Sequence, residues 1–567
     1  MLVINSTSVV TLNAPCTILN ISIGSSDTSN TVQATLDIIQ NGSLVVEQGS
    51  TFVAFGSSIG ITDNAQLNSK SLNIQGSISL LGQSSVISSI ITLNGSFIVD
   101  NGYQTISANI TSIGNSNISI NNSQTTFTSL SSIQTTDQST LKVTNSILSL
   151  DGKSTFNSSA TITNTTIELH GNHLFGSQAV LELVDTTLNV YPTTNITINN
   201  ILRGKRLTLN LEGNMYFAKS VGTFECDNCT ITIKGKGLFR FNLFSKANIT
   251  NSVIYNNANV FIAAKMLIPF GNKIINTGTL DYCADIFIDA HNNTVGPNDD
   301  NIITNTGRWL CNTPMHNLLS TPFLNTGSLE FTRGNVTFNR LHQTNGSITL
   351  AGGKLYANNT IELYAGSIIG KGEVYGSINN QGSMGNINNI SATDNITIHG
   401  DLGQLKGEIT FNIHTNDTHS QVAVANQFNA TDTNVNIFIS QSISENTTVD
   451  IMTFGSFVGS VPNFKVSTFD PNTGKVTTVA SDDCRYKTSM SGRSISVLVA
   501  PNDKCVGASN NQSDSFPIGA IIGIVVGVVA LATLITLGMI YRTKIRLMMK
   551  KSYASKSVKM TSKEEDL

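Results

Sequence analysis

The chain has 567 residues, with 33 Lys and Arg against 36 Asp and Glu, and only 12% of its residues are charged. This near-neutral balance argues against nucleic acid and acidic polymers as partners. Asn, Ser and Thr make up roughly a third of the chain, and Ile, Val, Leu and Phe recur regularly among them. Since disordered chains lack such regular apolar residues, the composition predicts a folded protein.

The N-terminus carries no recognisable signal peptide. Met1 is followed by Leu2-Val3-Ile4-Asn5-Ser6, which has neither a basic start nor a sustained apolar core. The same stretch already has the strand-like pattern of the repeats that follow. We therefore expect coding sequence upstream of Met1.

A short phrase recurs along the chain, a small polar turn followed by alternating apolar residues. Several successive copies lie about 19 to 21 residues apart, and a fixed period in this range indicates stacked repeats instead of one closed core. The copies include Asn41-Gly-Ser-Leu-Val-Val46, Asn94-Gly-Ser-Phe-Ile-Val99, Asn164-Thr-Thr-Ile-Glu-Leu169, Asp185-Thr-Thr-Leu-Asn-Val190 and Asn325-Thr-Gly-Ser-Leu-Glu-Phe331.

Strand repeats without helical patterns predict an all-β fold, a right-handed parallel β-helix over residues 1–399 in which each coil pairs with its neighbours. Proline is absent between Pro15 and Pro192, as ladder-forming strands require, because proline has no backbone donor. The alternative is a pair of β-sandwich domains, which also use short strands and turns.

Two segments depart from the repeat. Residues 200–322 gain Phe, Cys and Pro and contain the only tryptophan, Trp309, which predicts a lateral insertion or a broader section of the solenoid. Residues 400–505 change to longer strands. We interpret them as a C-terminal β-rich cap, because the open end of stacked strands invites edge pairing and must be covered.

Some of the phrases permit a comparison with known families. They are Asn276-Thr-Gly-Thr-Leu280, Asn325-Thr-Gly-Ser-Leu329, Gly366-Ser-Ile-Ile-Gly-Lys-Gly-Glu-Val374 and Ile398-His-Gly-Asp-Leu-Gly-Gln404. They resemble the rungs and the stem end of bacterial adhesin and autotransporter passenger β-helices. With its Asn and Thr richness and one apolar span, the chain also resembles the predicted single-pass β-solenoid surface glycoproteins of dictyostelid amoebae. The resemblance implies fold more than function.

All seven cysteines precede the apolar span, which fits an oxidising compartment. Local pairing predicts three disulfides and leaves Cys16 over. The predicted pairs are Cys226 with Cys229, Cys283 with Cys311, and Cys484 with Cys505. The alternative for Cys226-Asp-Asn-Cys229, half of a metal site or a redox motif, lacks a second CxxC or a thioredoxin-like context.

About 22 Asn-x-Ser/Thr sequons precede residue 517 and none follows it. In a secreted domain such sequons are acceptors for N-glycans. The predicted glycosylation sites include Asn94, Asn195, Asn335 and Asn446.

Residues 518–541 form an uncharged apolar run, long enough to cross a bilayer as one helix. Basic residues cluster on its C-terminal side, and positive charge stays cytoplasmic. The pattern predicts a single-pass type I protein of the plasma membrane with an extracellular N-terminal domain, a linker at 506–517 and a cytoplasmic tail at 542–567. A long buried soluble helix is the alternative.

Three glycines, Gly519, Gly523 and Gly527, lie four residues apart on one face of this helix. The missing side chains would let two helices approach closely, which predicts a homodimer formed through the membrane. The alternative is that they are ordinary small residues of a single span.

The sequence predicts no catalytic, cofactor-binding or metal-binding residues. Pectin hydrolases of the β-helix fold, by resemblance, need paired aspartates near a Gly-His-Gly and an Arg-x-Lys, and the sequence contains no Gly-His-Gly. The side chains of one acidic run would lie on the same face of a strand and could hold a hard cation, although a solvated strand face is the favoured interpretation. It consists of Asp281, Asp285, Asp289 and His291.

Together these features predict a non-enzymatic surface glycoprotein that presents a solenoid for adhesion or recognition, with a surface carbohydrate or protein as ligand. The alternative is a membrane-tethered carbohydrate-active β-helix enzyme, either a polysaccharide lyase or a glycoside hydrolase.

Overall fold

The structure of the chain, a computed structural model, describes residues 2–502 apart from gaps at 5–8, 19–20, 25–32, 63, 137, 219–221, 242–245, 263–264, 268–270, 283–286, 289–300 and 320. These residues form 55 strands in one continuous sheet and no helix. Within this part of the chain no helix is therefore long and apolar enough to cross a bilayer. The predicted span at 518–541 lies outside the described residues.

The first half of the solenoid begins with short strands and then has several long ones that bend around corners. Its strands are β1 (Leu2–Ile4), β2 (Val9–Leu12), β3 (Cys16–Ile18), β4 (Ile21–Ile23), β5 (Thr35–Ile38), β6 (Ser43–Val53), β7 (Ser58–Ile61), β8 (Gln66–Ile74), β9 (Ser77–Leu81), β10 (Ser84–Leu93), β11 (Ser96–Ser112), β12 (Asn117–Phe127), β13 (Ser132–Thr135), β14 (Thr140–Thr144), β15 (Ile147–Leu150), β16 (Lys153–Phe156), β17 (Ala160–Thr163), β18 (Thr166–Leu169), β19 (Asn172–Phe175), β20 (Val180–Val184), β21 (Thr187–Val190), β22 (Asn195–Ile198), β23 (Ile201–Lys205), β24 (Thr208–Leu211), β25 (Asn214–Phe217), β26 (Thr223–Asp227), β27 (Thr230–Ile233) and β28 (Leu238–Phe241).

The second half continues in the same way and ends in longer strands. Its strands are β29 (Lys246–Thr250), β30 (Val253–Asn256), β31 (Asn259–Ile262), β32 (Lys265–Leu267), β33 (Lys273–Asn276), β34 (Thr279–Tyr282), β35 (Phe287–Ile288), β36 (Ile302–Asn305), β37 (Arg308–Leu319), β38 (Phe323–Asn325), β39 (Ser328–Phe338), β40 (Leu341–Gln343), β41 (Ser347–Ala357), β42 (Ile361–Leu363), β43 (Ser367–Tyr375), β44 (Ile378–Asn380), β45 (Ser383–Met384), β46 (Asn395–Ile398), β47 (Leu402–Leu405), β48 (Glu408–Ile413), β49 (Gln421–Thr431), β50 (Asn434–Ser440), β51 (Thr447–Gly459), β52 (Asn463–Phe469), β53 (Val476–Thr478), β54 (Tyr486–Met490) and β55 (Ser494–Val499).

Alternation of polar and apolar residues explains the individual strands. In β21, Thr187 and Asn189 face outward, while Leu188 and Val190 are buried. Since side chains of a strand alternate between its two faces, one face of each short strand joins the core and the other meets solvent. The polar residues between strands form the turns.

Through the middle of the chain each strand pairs in parallel with the strand three positions further on. This divides the continuous sheet into three parallel faces, named sheets A, B and C here. Sheet A contains β14, β17, β20, β23 and β26, sheet B contains β15, β18, β21, β24 and β27, and sheet C contains β16, β19, β22, β25 and β28. The pairing confirms the predicted parallel β-solenoid and excludes the pair of β-sandwiches.

Inward side chains stack in columns, because the register of each sheet is unshifted from coil to coil. In sheet B one column holds Leu150, Leu169, Val190, Leu211 and Ile233, all at most 5% exposed. Neighbouring strands lie about 4.8 Å apart. Each aliphatic side chain therefore packs on its equivalents above and below, and burying them stabilises every coil.

Through the described residues of 200–322, where the sequence predicts a lateral insertion or a broader section, the ladders of all three sheets continue. The extra aromatic residues of this region fill the core. Phe217 and Phe241 stack with ring centroids 4.8 Å apart. One coil is longer, since Asn305 lies 29 residues after Asn276, its partner one coil earlier.

Farther along sheet B the inward column changes from aliphatic side chains to amides. Each Nδ2 donates to the side-chain oxygen one coil on, over distances of 2.6 to 2.7 Å. The column consists of Asn256, Asn276, Asn305, Asn325 and Gln343, all with no exposed surface. We call it the amide ladder. Because each of the three inner amides has amide partners on both sides and the two end amides also bond to backbone groups, these polar groups can occupy the core.

The glycines of the Asn-Thr-Gly phrase are explained by close packing of successive coils. A Cβ atom on Gly327 would lie 2.1 Å from the carbonyl oxygen of Gly307, its equivalent one coil earlier. A larger residue would force the two coils apart. The phrase thus combines a buried amide with a point of contact between backbones.

The C-terminal cap is predicted over residues 400–505. Parallel pairing continues as far as β52, which lies beside β50. Antiparallel strands then follow, with β55 between β51 and β54 and β53 on β52. Antiparallel pairing over the last coil covers strand edges, which is the role expected of a cap.

Candidate functional site

At the corner between sheets A and B, one residue of each coil has a left-handed backbone. Its φ angle is 47° at Asn122, 50° at Asn145, 49° at Asn164 and 52° at both Asp185 and Arg206. Asparagine and aspartate tolerate this region better than other residues with a Cβ. Their backbone preference therefore explains why they recur at this position of the repeat.

The corner amides bridge successive coils. Asn145 Nδ2 donates to Asn122 Oδ1 at 3.2 Å, and Asn164 Nδ2 donates to Asn145 Oδ1 at 2.9 Å. The backbone N–H of Asn164 also donates to the carbonyl of Val184 in the next coil at 2.9 Å. These bonds hold a row of exposed amides at the spacing of the coils.

The residue after each of the four Asn or Asp corner positions has a small hydroxyl side chain that turns inward. Ser146 Oγ donates to the carbonyl of Thr144 at 2.6 Å, and the Ser146 N–H donates to Thr165 Oγ1 at 3.4 Å. Ser146 and Thr165 are only 6% and 3% exposed. Since these side chains point toward the core, no bulky group fills the outer side of the corner.

The result is an open groove with a volume of about 510 Å³, which we call the corner groove. It crosses five successive coils, so its length is about 19 Å at the usual strand spacing. Its lining residues are Gly102, Tyr103, Asn122, Ser123, Gln124, Asn145, Ser146, Ile147, Asn164, Thr165, Thr166, Asp185 and Thr187.

Two large side chains stand at the edge of the corner groove. Tyr103 is 61% exposed at its N-terminal end, and Ile147 is 41% exposed in the middle. Apolar surface beside polar groups that can bind is a common feature of ligand sites. The groove therefore offers apolar contact area together with amide and hydroxyl groups.

Asp185 is the only charged side chain among the lining residues. Arg206 Nη2 donates to Asp185 Oδ2 at 2.6 Å, and Nε donates to Oδ1. These hydrogen bonds lower the pKa of Asp185, so its carboxylate stays ionised and its charge is balanced by the guanidinium. The rest of the groove is uncharged.

Beyond the groove, sheet A carries an exposed row of alternating charges. Arg203 donates through Nε to Glu225 at 2.7 Å and through Nη1 to Glu182 at 3.2 Å, each one coil away. Exposed pairs of this kind contribute little to stability. Here the alternating positive and negative side chains mark where the uncharged surface of the groove ends.

A second exposed cluster lies near the end of sheet A. The rings of Tyr356, Tyr375 and His399 stack with centroids 4.4 and 4.0 Å apart, beside Lys354 and Glu373. Hydrogen bonds from Tyr375, His399 and Lys354 lower the pKa of Glu373 to about 2. Since this carboxyl group is ionised near neutral pH, it cannot serve as a general acid there.

One histidine lies inside the solenoid. His173 is 2% exposed; its Nδ1 is 2.7 Å from Ser154 Oγ and its Nε2 is 3.2 Å from the carbonyl of His170. A carbonyl can only accept, so Nε2 carries the proton and Nδ1 accepts from the serine hydroxyl. Burial lowers the pKa of His173 to about 4, and the ring is neutral at physiological pH.

Stability is expected to fall as the pH drops from 6.5 toward 4, because an unfolded His173 binds a proton in this range and the folded one does not. The lowered pKa corresponds to roughly 3 kcal/mol. His173→Gln should lose less stability over this range than the wild type, as measured by urea unfolding at pH 7 and pH 4.5. His342→Gln, at an exposed position, is the control, and equal losses for the wild type and His173→Gln would contradict this assignment.

The structure joins Cys226 and Cys229 by a disulfide, with Cα atoms 6.0 Å apart. This pair spans the corner between sheets A and B, and both residues are 2% exposed. Cys311 is buried and Cys484 is half-buried. Their predicted partners Cys283 and Cys505 lie outside the described residues.

The predicted glycosylation sites differ in their surroundings. Asn94 and Asn446 are exposed, whereas Asn195 and Asn335 are half-buried. Asn195 Nδ2 donates to Asn172 Oδ1 at 3.1 Å, and Asn195 Oδ1 accepts from Asn214 at 2.9 Å. A glycan on Asn195 would be attached to this nitrogen and would leave it one N–H to donate.

Of the acidic run considered as a cation site, only Asp281 is described, in β34. Asp285, Asp289 and His291 lie outside the described residues, as do Gly519, Gly523 and Gly527. Within the described ranges, no three His, Cys, Asp or Glu side chains are arranged as metal ligands.

Sequence reasoning missed the corner groove. Tyr103, Gln124 and Ile147 lie in different copies of the repeat, and nothing in a single copy distinguishes them. Alignment of the copies by their left-handed corner residue would have placed Asn122 above Asn145. That column is the only signal of the groove in the sequence, because turn asparagines also occur elsewhere.

No protein-family model matches the chain, and no curated protein matches it.

Proposed function

We propose that the chain is a single-pass type I cell-surface glycoprotein whose β-solenoid is presented outside the cell for adhesion or recognition, without enzymatic activity. The observation that carries this proposal is the corner groove on the outside of a parallel solenoid. A solenoid holds side chains of successive coils in fixed rows, and such extended surfaces are well suited to binding.

The placement at the membrane is supported by the sequence. The uncharged run at 518–541 and the basic residues after it favour one span with the N-terminal domain outside. Gly519, Gly523 and Gly527 favour association of two such helices. The cysteines and sequons, which all precede the span, favour a secretory route.

The proposal is tested by labelling intact cells that express the full-length gene with a membrane-impermeant amine reagent, with and without N-glycosidase treatment. We expect a labelled protein whose apparent mass falls after deglycosylation. Labelling only after permeabilisation would overturn the surface location. The purified protein is also incubated with plant, bacterial and amoebal polysaccharides, where release of reducing ends would overturn the non-enzymatic part.

A further inference from the structure

We propose that the corner groove binds an uncharged oligosaccharide that lies along the solenoid axis. This inference rests on the proposed recognition function and names the class of ligand and the site that holds it. Its support comes from the spacing of the polar groups, the absence of net charge and the exposed tyrosine at one end.

The groove is periodic, and it therefore suits a periodic ligand. Asn122, Asn145 and Asn164 present one amide per coil, at a spacing of about 4.8 Å. This spacing is close to the rise of one pyranose unit in an extended glycan chain. Each sugar of the chain would accordingly meet an equivalent set of protein groups.

Several polar groups of the groove remain available to a ligand. Within the described part of the chain, neither Asn122 Nδ2 nor the Gln124 amide nor the Tyr103 hydroxyl has a hydrogen-bond partner, and all three residues are exposed. Amide and hydroxyl groups can donate to and accept from sugar hydroxyls. They would bind a neutral chain without the desolvation of a buried charge.

The charge pattern disfavours acidic glycans. The single carboxylate of the groove, that of Asp185, is already paired with Arg206, so no unpaired cation lines the groove to attract an acidic sugar. The apolar contact comes from Tyr103, which is 61% exposed. An aromatic ring of this kind can pack against the C–H face of a sugar while its hydroxyl stays hydrated.

One sequon lies inside the groove. Asn164-Thr165-Thr166 would place an N-glycan of the protein itself at the groove, where it would compete with an external chain. Because Thr166 itself lines the groove, the binding test uses the full chain expressed in a host that attaches no N-glycans, which leaves every groove side chain in place.

The test is a calorimetric titration with β-1,4-linked oligomers of glucose, N-acetylglucosamine and mannose, and with oligogalacturonate as the acidic probe. We expect one neutral series to bind, with affinity that rises with chain length until the groove is filled at about four units. Tyr103→Ala and Asn145→Gly should each weaken binding at least about tenfold. Glycine keeps the left-handed backbone at position 145 while it removes the amide.

Tyr364→Ala is the matched control, because Tyr364 is 46% exposed directly after β42 and does not line the groove; it should leave the affinity unchanged. Weaker binding by the chain expressed with N-glycans would add support. The proposal is overturned by equal affinities of Tyr103→Ala and Tyr364→Ala, by binding of oligogalacturonate alone, or by no saturable binding of any neutral probe up to about 10 mM.

The failure of this inference can be distinguished from the failure of the proposed function. If the protein is labelled at the cell surface and binds a glycan that the groove variants do not weaken, only the groove assignment fails. If the purified chain binds neutral oligomers through the groove but is never labelled on intact cells, only the surface location fails.

Discussion

Asn305→Asp is expected to leave the solenoid nearly unchanged at pH 4 and to destabilise it by about 4 kcal/mol at pH 7. Asn305 has no exposed surface, accepts from Asn276 Nδ2 at 2.6 Å and donates to Asn325 Oδ1 at 2.7 Å. A protonated carboxyl group can both accept and donate here, so it loses only the second donation, to the carbonyl of Ser328 at 3.0 Å.

An ionised carboxylate at this position has no donor for Asn325 and no water to solvate it. The pKa of the new group should therefore be higher in the folded chain than in the unfolded one. Its contribution to stability is therefore complete when the pH lies below the pKa of the group in the unfolded chain. As the pH rises from there toward the pKa in the folded chain, the free energy of unfolding falls by about 1.4 kcal/mol per pH unit.

This effect is measured by urea unfolding of Asn305→Asp and of the wild type at pH 4 and pH 7. At each pH the free energies of unfolding of the two proteins are compared, and their difference should grow between pH 4 and pH 7. Asn210→Asp is the matched control, since Asn210 also donates to an asparagine one coil away, Asn189, at 2.9 Å, but on the outer face of sheet B. Asn210→Asp should lower the free energy of unfolding by less than about 1 kcal/mol at both pH values. A loss of stability in Asn305→Asp that is the same at both pH values would show that the amide ladder does not discriminate between the protonated and the ionised carboxyl group.

Phe217→Ala should lower the free energy of unfolding by about 3 to 5 kcal/mol, because it leaves a cavity in a tightly packed aromatic cluster. The Phe217 ring centroid lies 4.8 Å from that of Phe241, 5.6 Å from that of Phe224 and 5.9 Å from that of Phe239. All four side chains are at most 1% exposed, so no water replaces the lost contacts.

The effect of Phe217→Ala should be greatest in its own and the neighbouring coils, because each coil of a solenoid contacts only its neighbours. Hydrogen exchange monitored by mass spectrometry should show lost protection in β25 and β28 before it appears in β41. Phe55→Ala, at a position that is 70% exposed, serves as the control and should change stability by less than about 0.5 kcal/mol. Uniform loss of protection along the chain would instead indicate one cooperative unit.

The period of the phrases was sufficient to predict the parallel solenoid, because the chain must bury one face of every short strand and stacked coils achieve this. The phenylalanines of 200–322 predict a lateral insertion or a broader section, but the sequence does not show that Phe217 and Phe241 pack in the core while the ladders continue around them. Composition reports what fills a core but not whether the coils around it continue.

The roles of asparagine could not be separated from the sequence. Asn164 sits in a left-handed corner with its amide exposed, whereas Asn276 ends a strand with its amide buried. Both precede threonine in nearly the same phrase. Whether such an amide is exposed or buried depends on which residue one coil away can accept or donate a hydrogen bond. Only the register of the coils supplies that information.

The direction of the ladder hydrogen bonds determines how the solenoid would respond to a pulling force. They run along the axis from coil to coil, so tension along the axis opens one interface at a time. A coil of 21 residues, such as that from Asp185 to Arg206, occupies about 4.8 Å of the axis and can extend to about 70 Å once detached. Under load the solenoid would lengthen in steps and dissipate work at each one, while the remaining coils kept their shape.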